Sequence, residues 1–576
     1  MLSDIEISNQ AQLMPIQEVA KKLSIGKEHI KCFGDHIAKV KLSAMDGTDK
    51  NQIGKLVFVT AMTPTQFGEG KTVTSVGLAQ GLDKLGYKAA ACLRQPSMGP
   101  IFGLKGGAAG GGYSQVIPMD ELNLHCTGDI HAITSAHNLA AAALDARLYH
   151  EERLGYVEYE QQTGESALKI DKERIVWTRA VDHNDRALRM ITVGKNQADK
   201  TVNGIEREDG FVITAASELM AIMSLSVNLQ DMRDRIGRVI LAYSLDGLPI
   251  TAEDVGVAGA MAVIMKDVIE PTLMQTNENV PVFIHGGPFA NIAHGNSSIV
   301  ADEIALRSAD FVITESGFGS DMGFEKACNI KIPVSKRPPN AVVIVATIKA
   351  IKAHSSITEG DLKRTPSLAQ DAICEGFKNL EWHIENVLKY GVPVVVAINR
   401  FEFDSEAELR LVNELISERF RDASVAVEVS SAFSKGGAGA IELAKQVAKL
   451  CSQEGQFTNS TNSDQTLSMK ERIIAQAKQN YDCTIEVGFT EEAELMMAKM
   501  DDVEALPLCF AKAPNNIFIN SIDGRPYIEI KSAHMNSGAG FIYLVCGTVM
   551  KMPGLGLTPA FKKIDLNTNL DVIGLD

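Results

Sequence analysis

Short runs of consecutive apolar residues punctuate the chain: KLVFVTAM (55–62), KAAACLR (88–94), GRVILAYS (237–244), VPVFIHG (280–286), DFVITESG (310–317), NAVVIVAT (340–347) and VPVVVAIN (392–399). Unbroken apolar runs, as opposed to alternating ones, suit strands buried on both faces of a parallel sheet. Between them lie segments with helical periodicity, such as 73–86 and 406–420. That alternation predicts an α/β doubly wound architecture.

The pattern also divides the chain. Residues 150–210 mix acidic, basic and aromatic side chains (YHEERLGYVEYEQQ, RAVDHNDRALR) and read as a lobe inserted into the main sheet. Residues 452–468, SQEGQFTNSTNSDQTLS, are polar and aperiodic, the composition of a linker. Beyond them, a helix over 469–480 and the runs CTIEVGF, PYIEIKSA and GFIYLVCG predict a smaller α+β unit. The expected division is 1–370, an α/β domain for nucleotide carrying the 150–210 lobe; 371–455, a second α/β domain; and 456–576, the C-terminal α+β domain.

Composition narrows the ligands. The 576 residues are 45% hydrophobic and hold 56 Lys and Arg against 72 Asp and Glu, a net charge of −16. That excess disfavours nucleic acid and anionic membrane as partners, yet leaves room for an anionic small molecule. Nine scattered cysteines without a C-x-x-C pair predict neither a disulfide framework nor a zinc site. No signal-like start or membrane-spanning run is evident, so the expected location is cytoplasmic.

Candidate chemistry sits just after the apolar runs. The segment TAMTPTQFGEGKTVT (60–74) ends in Gly70-Lys71-Thr72, the close of a phosphate-binding loop, with Thr65 where the general pattern has glycine. In a strand–loop–helix context the backbone N–H groups would face an anion and Lys71 would reach the terminal phosphates. Thr72 could ligate Mg²⁺, while Gly68 and Gly70 would allow close backbone approach. Arg94 follows the next run, and Gly106, Gly107, Gly110, Gly111 and Gly112 come soon after, flanked by Lys105, His125, Asp129 and His131.

A third stretch, FIHGGPFANIAHGNSS (283–298), offers His285, Gly286, Gly287, Asn291 and His294. No carboxylate stands at metal-ligand spacing, so these read as structural or substrate-orienting groups. A fourth, TESGFGSDMGFEKACNIK (314–331), carries Glu315, Asp321 and Glu325, which read equally as solvated loop charges or as a cation site.

Taken in order, TPTQFGEGKT, RQPSMGPIFGLKGGAAGGGYSQVIPM, LHCTGDIHAITSAHNL, NGIEREDGFVITAASELMAI, HGGPFANIAHG and ESGFGSDMGFEK resemble formate–tetrahydrofolate ligase, a family whose own phosphate loop begins T-P-T. The resemblance implies a P-loop-containing fold that joins formate to tetrahydrofolate at the expense of ATP, through formyl phosphate. It implies ATP and phosphate contacts from Thr63, Thr65, Gly68, Glu69, Gly70, Lys71 and Thr72, with Mg²⁺ on Thr72. Formyl phosphate would meet Arg94, Gly106, Gly107, His285, Gly286 and Gly287. Lys71 and Arg94 would serve the transferring phosphoryl group, and Asp129 or His125 would take the amine's proton. Phe401 and Phe433 would stack on the folate. A monovalent cation and a homotetramer are further family traits.

The chain departs from the family pattern on the acceptor side. Glu402 stands where proline is common, Phe433 replaces a tryptophan, and Gln95 replaces a frequent glutamate beside Arg94. AKAPNNIFIN (511–520) and PGLGLTPA (553–560) replace the usual K-T-Q-x-S and P-G-L-P-x-x-P-A, and KAHSSI (352–357) lacks a glycine pair. Two other readings therefore stay open: an acyl-phosphate-forming ligase with another amine acceptor, and a non-catalytic paralogue that binds nucleotide or folate.

Overall fold

The computed structural model describes residues 3–46, 53–65, 68–105, 109–195, 203–453, 455, 457–459, 467–500, 506–517, 520–522 and 525–575. Its centre is a large, mostly parallel sheet. We number the strands β1 (Ile30–Phe33), β2 (Ile37–Val40), β3 (Lys55–Ala61), β4 (Ala89–Leu93), β5 (Thr272–Thr276), β6 (Pro281–Ile284), β7 (Phe311–Gly319), β8 (Ala341–Ala346), β9 (Val394–Asn399) and β10 (Val425–Ser430). Their spatial order is β1-β2-β5-β6-β4-β7-β3-β8-β9-β10. From β6 to β10 in that order every pairing is parallel, while β1, β2 and β5 close the other edge antiparallel.

The apolar runs explain the layering. Along β3, Leu56 and Phe58 enter one core, while Val57, Val59 and Ala61 enter another on the opposite face. A strand so placed needs apolar residues on both sides, hence its unbroken run. Helix α1 (Lys71–Lys84) covers the second face through Val76, Leu78, Ala79 and Leu82. The other face is covered by helices that include α2 (Asp129–Leu154), α3 (Ile299–Leu306) and α4 (Ala369–Leu388).

From β3 the chain crosses to β4 on one side, and β8, β9 and β10 later add on the other. Such a divergence of connections is where open α/β sheets hold ligands, outside the C-terminal ends of the strands. Because β9 and β10 extend the same sheet as β3, the loops after them open on the same edge as the loops after β3, β4, β6 and β7.

One run behaves differently. GRVILAYS forms Ile240–Ser244, but in a three-stranded antiparallel sheet with Pro249–Thr251 and Ile170–Ile175. Its residues are as buried as those of the central sheet, so burial alone did not reveal the pairing.

The C-terminal segment builds two three-stranded sheets around a core that includes Ile473, Phe510, Ile528 and Ile542. On Phe541–Val545, Ile542 and Leu544 face that core, and Phe541 and Tyr543 pack into the main one. Period-2 alternation thus joins the segment to the body of the protein.

Candidate active site

The turn between β3 and α1 is shaped by glycine. Gly68 and Gly70 both take φ near +73°, a left-handed conformation costly for other residues. A Cβ on Gly70 would also lie 2.2 Å from Asn399 Nδ2, at the end of β9. Glu69 is buried and accepts from the backbone N–H of Thr65 at 2.6 Å, while its own carbonyl accepts from Asn399 Nδ2 at 3.2 Å. The loop is held by the end of β9, two strands from β3 in the sheet.

Thr63 is fully engaged. Its hydroxyl meets His383 Nε2 at 2.9 Å and accepts from Asn379 Nδ2 at 2.9 Å, and its carbonyl accepts from His354 Nε2 at 2.9 Å. Thus Thr63 anchors the loop to α4 and to the KAHSSI segment.

At the start of α1, Lys71 and Thr72 meet an acid from β7. Thr72 Oγ1 donates to Glu315 Oε2 at 2.7 Å, and Arg94 Nη2 pairs with Glu315 Oε1 at 3.4 Å. Arg94 leaves the end of β4 and also reaches the Pro288 carbonyl at 3.5 Å. Loss of water around the Lys71 ammonium lowers its pKa, opposed by Glu69 and Glu315 and reinforced by Arg94. Two cations, two carboxylates and a hydroxyl therefore gather at adjacent strand ends. The sequence left Glu315 between a solvated charge and a cation site; the structure buries it between Thr72 and Arg94.

Several other expected residues also have partners within the protein. His285 is buried, with Nδ1 on Ser298 Oγ and Nε2 on the Val268 carbonyl, each at 2.6 Å; burial pushes its pKa down to about 3. Gly286 has φ of +67° and its carbonyl accepts from Gln95 N, while a Cβ on Gly287 would strike the Gln95 carbonyl at 2.6 Å. Both glycines let this loop pass against the residue beside Arg94. Asp129 is buried and pairs with Lys39 at 2.6 Å; burial raises its pKa against the pull of that ammonium. His125 is exposed and meets His131 ring to ring at 2.9 Å between nitrogens. Gly106 and Gly107 lie outside the described residues.

On the far side of the edge, Phe401 follows β9 and Phe433 follows β10. Phe433 packs against Gly111 and Gly112, where an added Cβ would lie 3.0 Å from its ring and 2.1 Å from its carbonyl, respectively. The end of the glycine-rich stretch is thereby docked on the Phe433 turn. The C-terminal segment closes in through Lys512, whose ammonium pairs with Asp321 in a fully buried contact and reaches the Asn516 carbonyl at 2.6 Å. Nearby, Glu325 accepts from Asn329 at 2.5 Å and from Asn480 at 2.7 Å. Residues after Met552 are held by the lobe, since Arg186 donates to the Leu555 carbonyl and Arg189 to that of Met552.

Fold and site together describe an α/β protein whose glycine turn, neighbouring cations and aromatic loops share one sheet edge. A sequence model described as formate–tetrahydrofolate ligase matches residues 2–576. The chain is 52% identical to the formate–tetrahydrofolate ligases of Aliivibrio fischeri and Vibrio cholerae, and 48% identical to that of Aliivibrio salmonicida, in each case over the full length of both chains. The chain belongs to the formate–tetrahydrofolate ligase family.

Proposed function

We propose that the protein ligates formate to tetrahydrofolate at the expense of ATP, giving 10-formyltetrahydrofolate, ADP and phosphate. The observation that carries this reading is the Lys71–Thr72–Glu315–Arg94 cluster at the glycine turn. A formate oxygen attacks the γ-phosphorus, the bond to ADP breaks, and formyl phosphate forms. N10 of tetrahydrofolate then attacks the formyl carbon, phosphate leaves with its electron pair, and the amine gives up a proton.

In this scheme Lys71 and the N–H groups of the Gly68–Gly70 phosphate loop hold the β- and γ-phosphates, and Arg94 balances charge on the transferring group and on formyl phosphate. Thr72 and Glu315 present two oxygens 2.7 Å apart, a donor pair that fits Mg²⁺ beside phosphate oxygens. Bound there, Mg²⁺ would offset charge developing on the β- and γ-oxygens. Of the two groups expected to receive the amine's proton, Asp129 is committed to Lys39, so we assign the role to His125 with His131 behind it. Phe401 and Phe433 form the folate side. A monovalent cation is left without assigned ligands; among the described residues no group of three or more His, Cys, Asp or Glu gathers for a metal.

The full-length match to relatives sets aside the two other readings, since departures at Glu402 and Phe433 change the size of the folate surface and leave the phosphate edge intact. We also propose a homotetramer in the cytoplasm. Leu557 at 92% exposure and Leu570 at 77% are apolar surface that assembly would cover, and no described helix is long and apolar enough to cross a membrane.

The test is direct. Purified protein is given MgATP, formate and tetrahydrofolate, and ADP and 10-formyltetrahydrofolate are quantified. Equal amounts of both, dependent on all three substrates, support the assignment. ADP that needs formate but not folate points to another acceptor, and no ADP under any condition points to a binding protein.

A further inference from the structure

Phe403 is 70% exposed, although a phenyl ring on the surface gains little from the hydrophobic effect. It is not isolated. Its ring lies nearly parallel to that of Phe401, with 9° between planes and 5.6 Å between centroids, an offset stack.

The turn is built to hold that pair. Phe401 N donates to Asp404 Oδ2 at 2.8 Å and Asp404 N returns to the Phe401 carbonyl at 3.1 Å, while Asp404 itself is buried. One residue earlier, Arg400 N donates to the Ser430 carbonyl at 2.9 Å, fixing the turn to the end of β10. Residues 401–404 thus close on themselves and are tied through Arg400 to the edge where the phosphate loop and the Phe433 turn open.

We propose that Phe403 is a positioning residue for the folate: it backs one face of Phe401 and leaves the opposite face as the single flat seat for the pterin. The inference rests on the reading that Phe401 stacks on folate. An unbacked phenyl on an exposed turn can rotate among rotamers, and ordering it on binding costs affinity; a stacked neighbour settles that cost beforehand. The effect belongs to ground-state binding, so it falls on KM for the folate and not on kcat.

The experiment compares Phe403→Ala, Phe403→Tyr and Phe401→Ala, with the Kd for tetrahydrofolate measured by calorimetry alongside steady-state constants for every substrate. The expected result is a roughly threefold to tenfold rise in both KM and Kd for tetrahydrofolate in Phe403→Ala, the scale of an aromatic pair. Values for ATP and formate and the kcat should hold, and Phe403→Tyr should recover parental binding. Unchanged or tighter folate binding in Phe403→Ala, while Phe401→Ala binds weakly, overturns the inference and leaves the Phe401 reading standing; tighter binding would show that Phe403 occupies the seat. Normal folate binding in Phe401→Ala overturns the seat and this inference with it. Because Phe403 is exposed, melting curves matching the parent should confirm that each change acts locally.

Discussion

The hydroxyl of Thr72 donates to the Glu315 carboxylate at 2.7 Å, joining the first turn of α1 to the strand beside it. The other oxygen of that carboxylate takes Arg94. If this acid orients both the metal-binding hydroxyl and the cation, Glu315→Gln should lower kcat and raise the Mg²⁺ needed for half-maximal rate, each by about 10–100-fold. A magnesium titration of formate-dependent ADP release reads both; an unchanged titration would show that Glu315 is only structural.

In the proposed scheme Lys71 reaches the γ-phosphate; burial lowers its pKa, and Glu69 and Glu315 oppose that shift. Lys71→Ala should cut formate-dependent ADP formation by roughly 10²–10³-fold with little change in melting temperature. Rates near those of the parent would remove Lys71 from the phosphoryl site.

The Lys512–Asp321 pair is fully buried and connects the C-terminal segment to the residues just after β7. Lys512→Met strands a buried carboxylate and should destabilise the protein by about 3–5 kcal/mol, whereas Lys512→Met with Asp321→Asn should recover much of that. Thermal melting of the two variants measures the difference. Equal losses in both would mean that the pair matters by shape alone.

Glu218 accepts from Gly538 N at 2.8 Å and Ala539 N at 3.0 Å, and burial raises its pKa from the ordinary 4.5 to about 7. A raised folded-state pKa means the unfolded chain loses this proton first. Stability from this group is therefore full below about pH 4.5 and declines until about pH 7, then levels off. Glu218→Gln keeps an oxygen for the two N–H donors and removes the titration. Its melting temperature relative to the parent should rise from pH 5 to pH 8, by about 2 °C or more. A constant difference would show that Glu218 ionises normally.

Much of this was legible in the sequence, for identifiable reasons. Helix 469–480 follows from periodicity, β3, β4, β6, β7, β8 and β9 follow from their unbroken apolar runs, and the helix starting at Lys71 follows from the glycines before it, whereas β1, β2, β5 and β10 gave no such run. What periodicity does not carry is which strand pairs with which, so Ile240–Ser244 read as part of the parallel sheet. Partnership between distant side chains was equally hidden. Nothing local in TESGFGSDMGFEK tells that Glu315 meets Thr72, 243 positions away, or that Asp321 meets Lys512. The same holds for Asp129 and His285, whose residue types suggest chemistry while their buried partners, Lys39 and the Val268 carbonyl, occupy them.

The central claim is that formate is activated on phosphate before the folate amine attacks. If so, an oxygen of formate stays with phosphorus when the formyl carbon is transferred. Turnover with ¹⁸O-labelled formate, MgATP and tetrahydrofolate should therefore yield inorganic phosphate carrying one formate-derived oxygen per 10-formyltetrahydrofolate. Phosphate free of label, with product still formed, would contradict the account.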